Sequence, residues 1–126
     1  MLNDHYFPVA KSFLAEAALA SAIAAAYGLP SVRCQLIAAF MRDVYLVTAQ
    51  QDRYILFIYR HNHRTMAEIK AEWQFVDYLK AKSVPVTPAV PAPNGDYVLS
   101  FPAPEGIRYG VLTTFVAGAY AAATQP

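Results

Sequence analysis

Few residues in this chain are placed to do chemistry, and the one least explained by solubility alone is Glu72. Between Thr65 and Lys82, the residues Met66, Ile69, Trp73, Val76 and Leu79 recur at helical spacing, which predicts a helix. Glu72 follows Ile69 by three positions, precedes Val76 by four and precedes Leu79 by seven, so it lies on the apolar stripe of that helix. A carboxylate in that position is costly to bury unless a cation or hydrogen-bond donors meet it; alternatively it sits at the edge of the stripe and reaches water. His61 and His63, on either side of Asn62, are the other obvious candidates. Two loop histidines without a third ligand nearby fit solvated side chains better than a metal site. With Arg60 and Arg64 they form a small basic cluster, which reads as the exposed turn before the helix or as a contact for an anionic partner. No nucleophile elbow, Walker phosphate loop or dinucleotide glycine fingerprint is present.

The elements that must position these residues follow from length and pattern. With 126 residues, 56% hydrophobic and 15% charged, the chain has apolar material for one core. A net charge of +1 gives no broad basic field, which argues against nucleic acid or an anionic membrane as partner. One cysteine, Cys34, permits neither an internal disulfide nor a cysteine metal site, and a reducing cytoplasm is the expected setting. The alanine-rich stretch Phe13 to Ala26 is too short to span a bilayer, and Asp4 and Glu16 are unlike an export signal. It reads as an amphipathic surface helix with Ser12 as N-cap and Gly28 just past its end.

Three antiparallel strands are expected next, about Val32 to Phe40, Val44 to Ala49 and Arg53 to Arg60, with Gln50-Gln51-Asp52 as a hairpin loop. Thr65-Met66-Ala67-Glu68 matches a capping box that opens the long helix. Pro85, Pro88, Pro91 and Pro93 then exclude regular structure as far as Asn94-Gly95-Asp96. Strands from Tyr97 to Phe101 and from Ile107 to about Phe115 complete the pattern. The fold class is α+β: an N-terminal helix and a five-stranded antiparallel sheet with one long helix after the third strand.

Several short stretches occur in a telling order: Tyr54-Ile55-Leu56-Phe57-Ile58-Tyr59-Arg60, Ala67 to Glu72 with Leu79 seven on, Val84-Pro85-Val86-Thr87-Pro88, Asn94-Gly95, Pro104 to Tyr109, and Val111 to Gly118. In that order the sequence resembles the aminoglycoside phosphotransferase and choline kinase superfamily, in its homoserine-kinase-like and stress-response-kinase-like branch, over about Phe7 to Gly118. The resemblance implies a protein-kinase-like N-terminal, nucleotide-binding lobe over residues 1–118, a tail over 119–126, and ATP and Mg as cofactors. It implies that the Phe40 to Val44 turn covers the phosphates and that Glu72 pairs with a cation on the third strand that grips them. It makes Thr113 to Val116 the hinge, with the Thr114 carbonyl and Val116 N–H on the adenine edge, and Ile37, Leu56 and Leu112 around an apolar slot.

Two departures accompany the resemblance. Phe57 occupies the position of the phosphate-binding cation, and the turn reads Phe40-Met41-Arg42-Asp43 where relatives usually have glycine and asparagine. Arg60, three positions from Phe57, points to the opposite face. Arg42 is the remaining candidate: either an exposed turn arginine, or a side chain that swings under the loop to meet Glu72 or a phosphate. The resemblance also implies a C-terminal lobe carrying the catalytic base and metal ligands, none of which is expected within this chain, so no catalytic residue and no metal site is assigned. Phosphoryl transfer from ATP to a small-molecule hydroxyl is the expected activity of the family, with the chain inert alone and completed by the C-terminal lobe. The alternative is a non-catalytic module that binds a partner, or a second copy, through the face that would meet that lobe. An unrelated α+β domain is a third reading.

Overall fold

The computed structural model describes residues 13–115. The element order is α1 (Glu16–Tyr27), β1 (Val32–Ala39), β2 (Arg42–Ala49), β3 (Asp52–Tyr59), α2 (Met66–Ala81), β4 (Leu99–Ala103) and β5 (Gly106–Thr114). All five strands form one antiparallel sheet in the order β1-β2-β3-β5-β4. Short turns make β1, β2 and β3 a meander. After α2 and the proline-rich stretch the chain returns so that β5 pairs with β3, leaving β4 outermost. Pro102 is tolerated in β4 because that strand is an edge.

Each face of the sheet is covered by one helix. Leu19 and Ile23 of α1 pack with Cys34, Tyr45, Val47, Leu56, Ile58 and Leu112. On the other face, Ile69 and Trp73 of α2 pack with Val44, Ile55, Phe57, Tyr59, Val98 and Val111. This explains why Ile55 to Tyr59 is continuously apolar instead of alternating: neighbouring side chains point to opposite faces, and both faces are dry. The separation of Leu19 and Ile23 by four positions puts both on one side of α1, where each side chain buried contributes about 1.5–3 kcal/mol.

Local signals at the helix ends act largely as the sequence predicts. Gly28 closes α1 in the left-handed region at φ 66°, its N–H donating to the Ala24 carbonyl. Thr65 accepts from the Glu68 N–H at 3.1 Å while Glu68 accepts from the Thr65 N–H at 2.8 Å, so the capping box is formed. The start of α1 differs from expectation. Its N-cap is Ala15, which has no side-chain oxygen to offer, and Ser12 lies outside the described residues. The hairpin between β2 and β3 is also tighter than expected, because Asp52 pairs with Ala49 and leaves Gln50-Gln51 as the loop. Among the described residues, no helix is long and apolar enough to cross a membrane.

Burial on the α1 side of the sheet has an electrostatic consequence. It raises the Cys34 thiol from 9.0 to about 11, with Glu16 adding to the effect. It raises the phenols of Tyr27 and Tyr45 from 10.0 to about 12, with Asp43 also raising Tyr45. Tyr45 donates to the Leu14 carbonyl at 2.9 Å and Tyr27 to the Val90 carbonyl at 3.3 Å, so both O–H groups are in use. These groups bind their protons more tightly folded than unfolded, so their stabilisation is complete below the ordinary values and lost as pH rises through the raised ones. Urea unfolding followed by circular dichroism should therefore give a flat midpoint between pH about 7 and about 8.5 and a steady decline above it. Replacing Cys34 by Ala should remove the earliest part of that decline.

Candidate functional site

Arg42 opens β2 and Tyr59 ends β3, and the two are register partners. Phe57, two positions before Tyr59, shares its face, and α2 lays Glu72 and Trp73 across that face. The resulting cluster centres on the Tyr59 hydroxyl. It donates to Glu72 Oε1 at 2.9 Å, and it accepts from Trp73 Nε1 at 3.0 Å and from Arg42 Nη1 at 3.3 Å. Because indole and guanidinium nitrogens only donate, the phenolic proton has to point at Glu72. All three hydrogen-bonding positions of that oxygen are then filled. Burial raises the Tyr59 pKa; the charge of Glu72 adds to this, while Arg42 and the Trp73 hydrogen bond oppose it. The phenol stays protonated at neutral pH and keeps its role as donor.

Arg42 lies over this floor. Its guanidinium carbon is 4.2 Å from the Phe57 ring centroid and 5.6 Å from that of Tyr59. Its Nη1 is 3.6 Å from Glu72 Oε2. The two side chains remain 25% and 35% exposed, so the pair is held in place yet open to a solute. Trp73 backs Phe57 with ring centroids 6.1 Å apart. Of the two alternatives for Glu72, the structure shows the paired carboxylate, and Arg42 is the residue that reaches it.

The neighbouring residue, Asp43, points to the other face, where it is fully buried and paired with Arg60 Nη2 at 2.5 Å. Arg60 Nη1 also donates to the Phe40 carbonyl at 2.7 Å. Arg60 thus lies opposite Phe57 in orientation, as its spacing predicts, and clamps the Phe40-Met41 turn from behind. Phe40 and Met41 themselves are exposed.

The expected lining of an apolar slot does not assemble from Ile37, Leu56 and Leu112 together. Leu56 and Leu112 are register partners with no exposure, sealed beneath α1. Ile37 lies on the α2 face. Alternation from Leu36 already sends Ile37 to that face, and a register shift in β1 between Leu36 and Ala38 keeps Ala38 there as well, where strict alternation would return it to the α1 side. Leu46, Ala89 and Phe115 are among the partly buried apolar residues that accompany Ile37 on the α2 face. Leu46 was legible by parity, since it faces Ile55, two positions from Phe57. Thr114 is exposed at the end of β5, opposite Tyr54. Beside it the Phe115 N–H donates to the Arg53 carbonyl at 3.2 Å, and the Val90 N–H donates to the Leu112 carbonyl at 2.7 Å. Val116 lies outside the described residues.

His61 turns its Nδ1 toward the Ile107 carbonyl at 3.4 Å and packs its ring against Gly106, where a Cβ would stand 2.2 Å from a ring carbon. Gly106 has φ 143°, a conformation that favours glycine, and a side chain there would also have to push the His61 ring aside. No group of three or more His, Cys, Asp or Glu among the described residues is placed to hold a metal ion.

Two solved structures share this architecture. One is a microcompartment-associated aminopropanol kinase, with TM-score 0.72, 23% identity, and coverage of 82% of this chain and 32% of that one. The other is the amicoumacin kinase hAmiN in complex with AMP-PNP, Ca2+ and Ami, with TM-score 0.70, 21% identity and the same coverage of 82% and 32%. The fold is that of a protein-kinase-like N-terminal lobe. The likeness covers part of those chains. Among curated proteins, an uncharacterized protein of Synechocystis is 34% identical over 116 residues, covering 91% of this chain and 32% of its own length. An uncharacterized protein of Deinococcus radiodurans is 31% identical over 112 residues, covering 89% and 33%. The chain spans about a third of the length of these relatives. No family model matches the chain.

The Tyr59 hydroxyl makes the site unusually sensitive to one atom. Tyr59→Phe leaves the Trp73 N–H and one Glu72 oxygen without this partner and should lower stability by about 1–3 kcal/mol. Urea denaturation measures the loss, and a change below about 0.5 kcal/mol would show that the hydroxyl is not the hub.

Proposed function

We propose that the chain is the ATP-binding N-terminal lobe of a kinase of the aminoglycoside phosphotransferase type, which passes a phosphoryl group from ATP to a hydroxyl of a small molecule. The observation that carries this reading is the Arg42–Glu72 pair on the α2 face. In kinases of this architecture a helix glutamate steadies a cation that grips the phosphates, and catalysis rests on positioning and charge stabilisation. The solved neighbours support it at the level of fold, since both are kinases of small molecules and one is bound to AMP-PNP.

In this reading the phosphates meet Arg42 beneath the Phe40-Met41 turn. The adenine lies toward the end of β5, against the apolar side chains of Ile37, Leu46 and Ala89, with its edge on the Thr114 carbonyl and the Val116 N–H. The catalytic base and the residues that select the acceptor belong to a C-terminal lobe, for which the relatives have the additional length. Magnesium, which the reading brings in with ATP, neutralises charge on the phosphates; no ligand in the described residues is assigned to it. In this reading residues 1–118 form the lobe, and transfer needs the C-terminal lobe as well.

A second reading, a non-catalytic interaction module, draws on Phe75 and Tyr78. They stack on the outward side of α2 with centroids 6.4 Å apart and are each more than half exposed. Isothermal titration with Mg-ATP separates the two. The kinase reading expects saturable binding that Glu72→Ala weakens by about tenfold, because Arg42 loses its tether. It also expects no phosphate transfer by the chain alone. Absence of nucleotide binding together with concentration-dependent self-association would favour the module.

A further inference from the structure

We infer that the phosphate-gripping cation of this chain has moved one strand over, from the Phe57 position of β3 to Arg42 of β2, and that Phe57 is the platform on which it rests. This deepens the nucleotide-binding reading above and depends on it.

The geometry argues that Phe57 and Arg42 form one device. The guanidinium carbon of Arg42 stands 4.2 Å above the Phe57 ring, within the range where an aromatic face attracts a cation. A lysine or arginine at position 57 would bring a second positive charge against Arg42, which like-charge repulsion opposes. A neutral, flat side chain is therefore what the relocated cation needs beneath it. Trp73 backs that ring and ties itself to Tyr59, so the platform is rigid.

The guanidinium is held and still has capacity. Its contacts to Tyr59 and Glu72 are both made through Nη1, and among the described residues Nη2 and Nε have no hydrogen-bond partner. Its side chain is 25% exposed. A planar fork fixed on one edge and open on the other matches two oxygens of one phosphate group. The base of Arg42 is fixed as well. Arg60 pairs with the neighbouring Asp43 and takes the Phe40 carbonyl from the opposite face, so the turn that launches Arg42 is braced without glycine. The ligand class is the polyphosphate of a nucleotide.

The test is calorimetric titration of the full chain with Mg-ATP and, separately, with adenosine. Arg42→Gln keeps donors near Tyr59 and Glu72 but removes the charge; it should weaken Mg-ATP by about tenfold or more and leave adenosine unchanged. Adding Phe57→Lys to Arg42→Gln should restore much of the Mg-ATP affinity by returning the cation to β3. Phe57→Lys alone, with Arg42 present, should not strengthen binding. Equal Mg-ATP affinity in wild type and Arg42→Gln, with adenosine still bound, would overturn the relocation and leave the nucleotide site standing. Failure of the wild type to bind either probe would overturn the nucleotide site and the relocation with it.

Discussion

A carboxylate on the sheet-facing side of a helix has to be met by partners, and in this chain the rest of the site is arranged around meeting Glu72. The Tyr59 hydroxyl supplies one hydrogen bond and Arg42 supplies the opposite charge. Because Tyr59 also takes the Trp73 and Arg42 N–H groups, the position of α2 over the sheet and the position of the β2 terminus are set by one oxygen atom. Deleting that atom would leave donors and an acceptor competing for water in a place where Tyr59 is only 1% exposed.

The sheet makes this possible by separating its tasks by face. The α1 side is dry core, with tyrosines used as donors to carbonyls and with Asp43 and Arg60 locked together at its rim. On the α2 side the core stops short of the strand ends and leaves Arg42 and Glu72 partly open. Alternation along β2 sends Arg42 to one side and Asp43 to the other, so two adjacent charges serve a partly exposed ion pair and a structural clamp respectively.

Much of this was legible in the sequence. The capping box, the stripe position of Glu72, the five strands and the helix inserted after the third follow from spacing alone. Two things were not. Strand alternation cannot reveal an extra residue, so the bulge at Ile37 was invisible, and the presence of α1 over Leu56 and Leu112 turned an expected slot lining into sealed core. The reach of Arg42 depends on register: it meets Glu72 because Arg42 pairs with Tyr59, a relation between strands that no local pattern carries. Tyr59 itself was hidden in a run of apolar residues. Its only signal was sharing a face with Phe57, next to a helix that offers a glutamate followed by a tryptophan.

Arg42 and Glu72 act on each other directly, across the gap between β2 and α2. A double-mutant cycle of Arg42→Ala and Glu72→Ala, read by urea unfolding, measures that interaction without reference to any ligand. For a pair this exposed, a favourable coupling of about 0.5–1 kcal/mol that shrinks as salt is raised is expected. Additive effects of the two substitutions at low salt would contradict it.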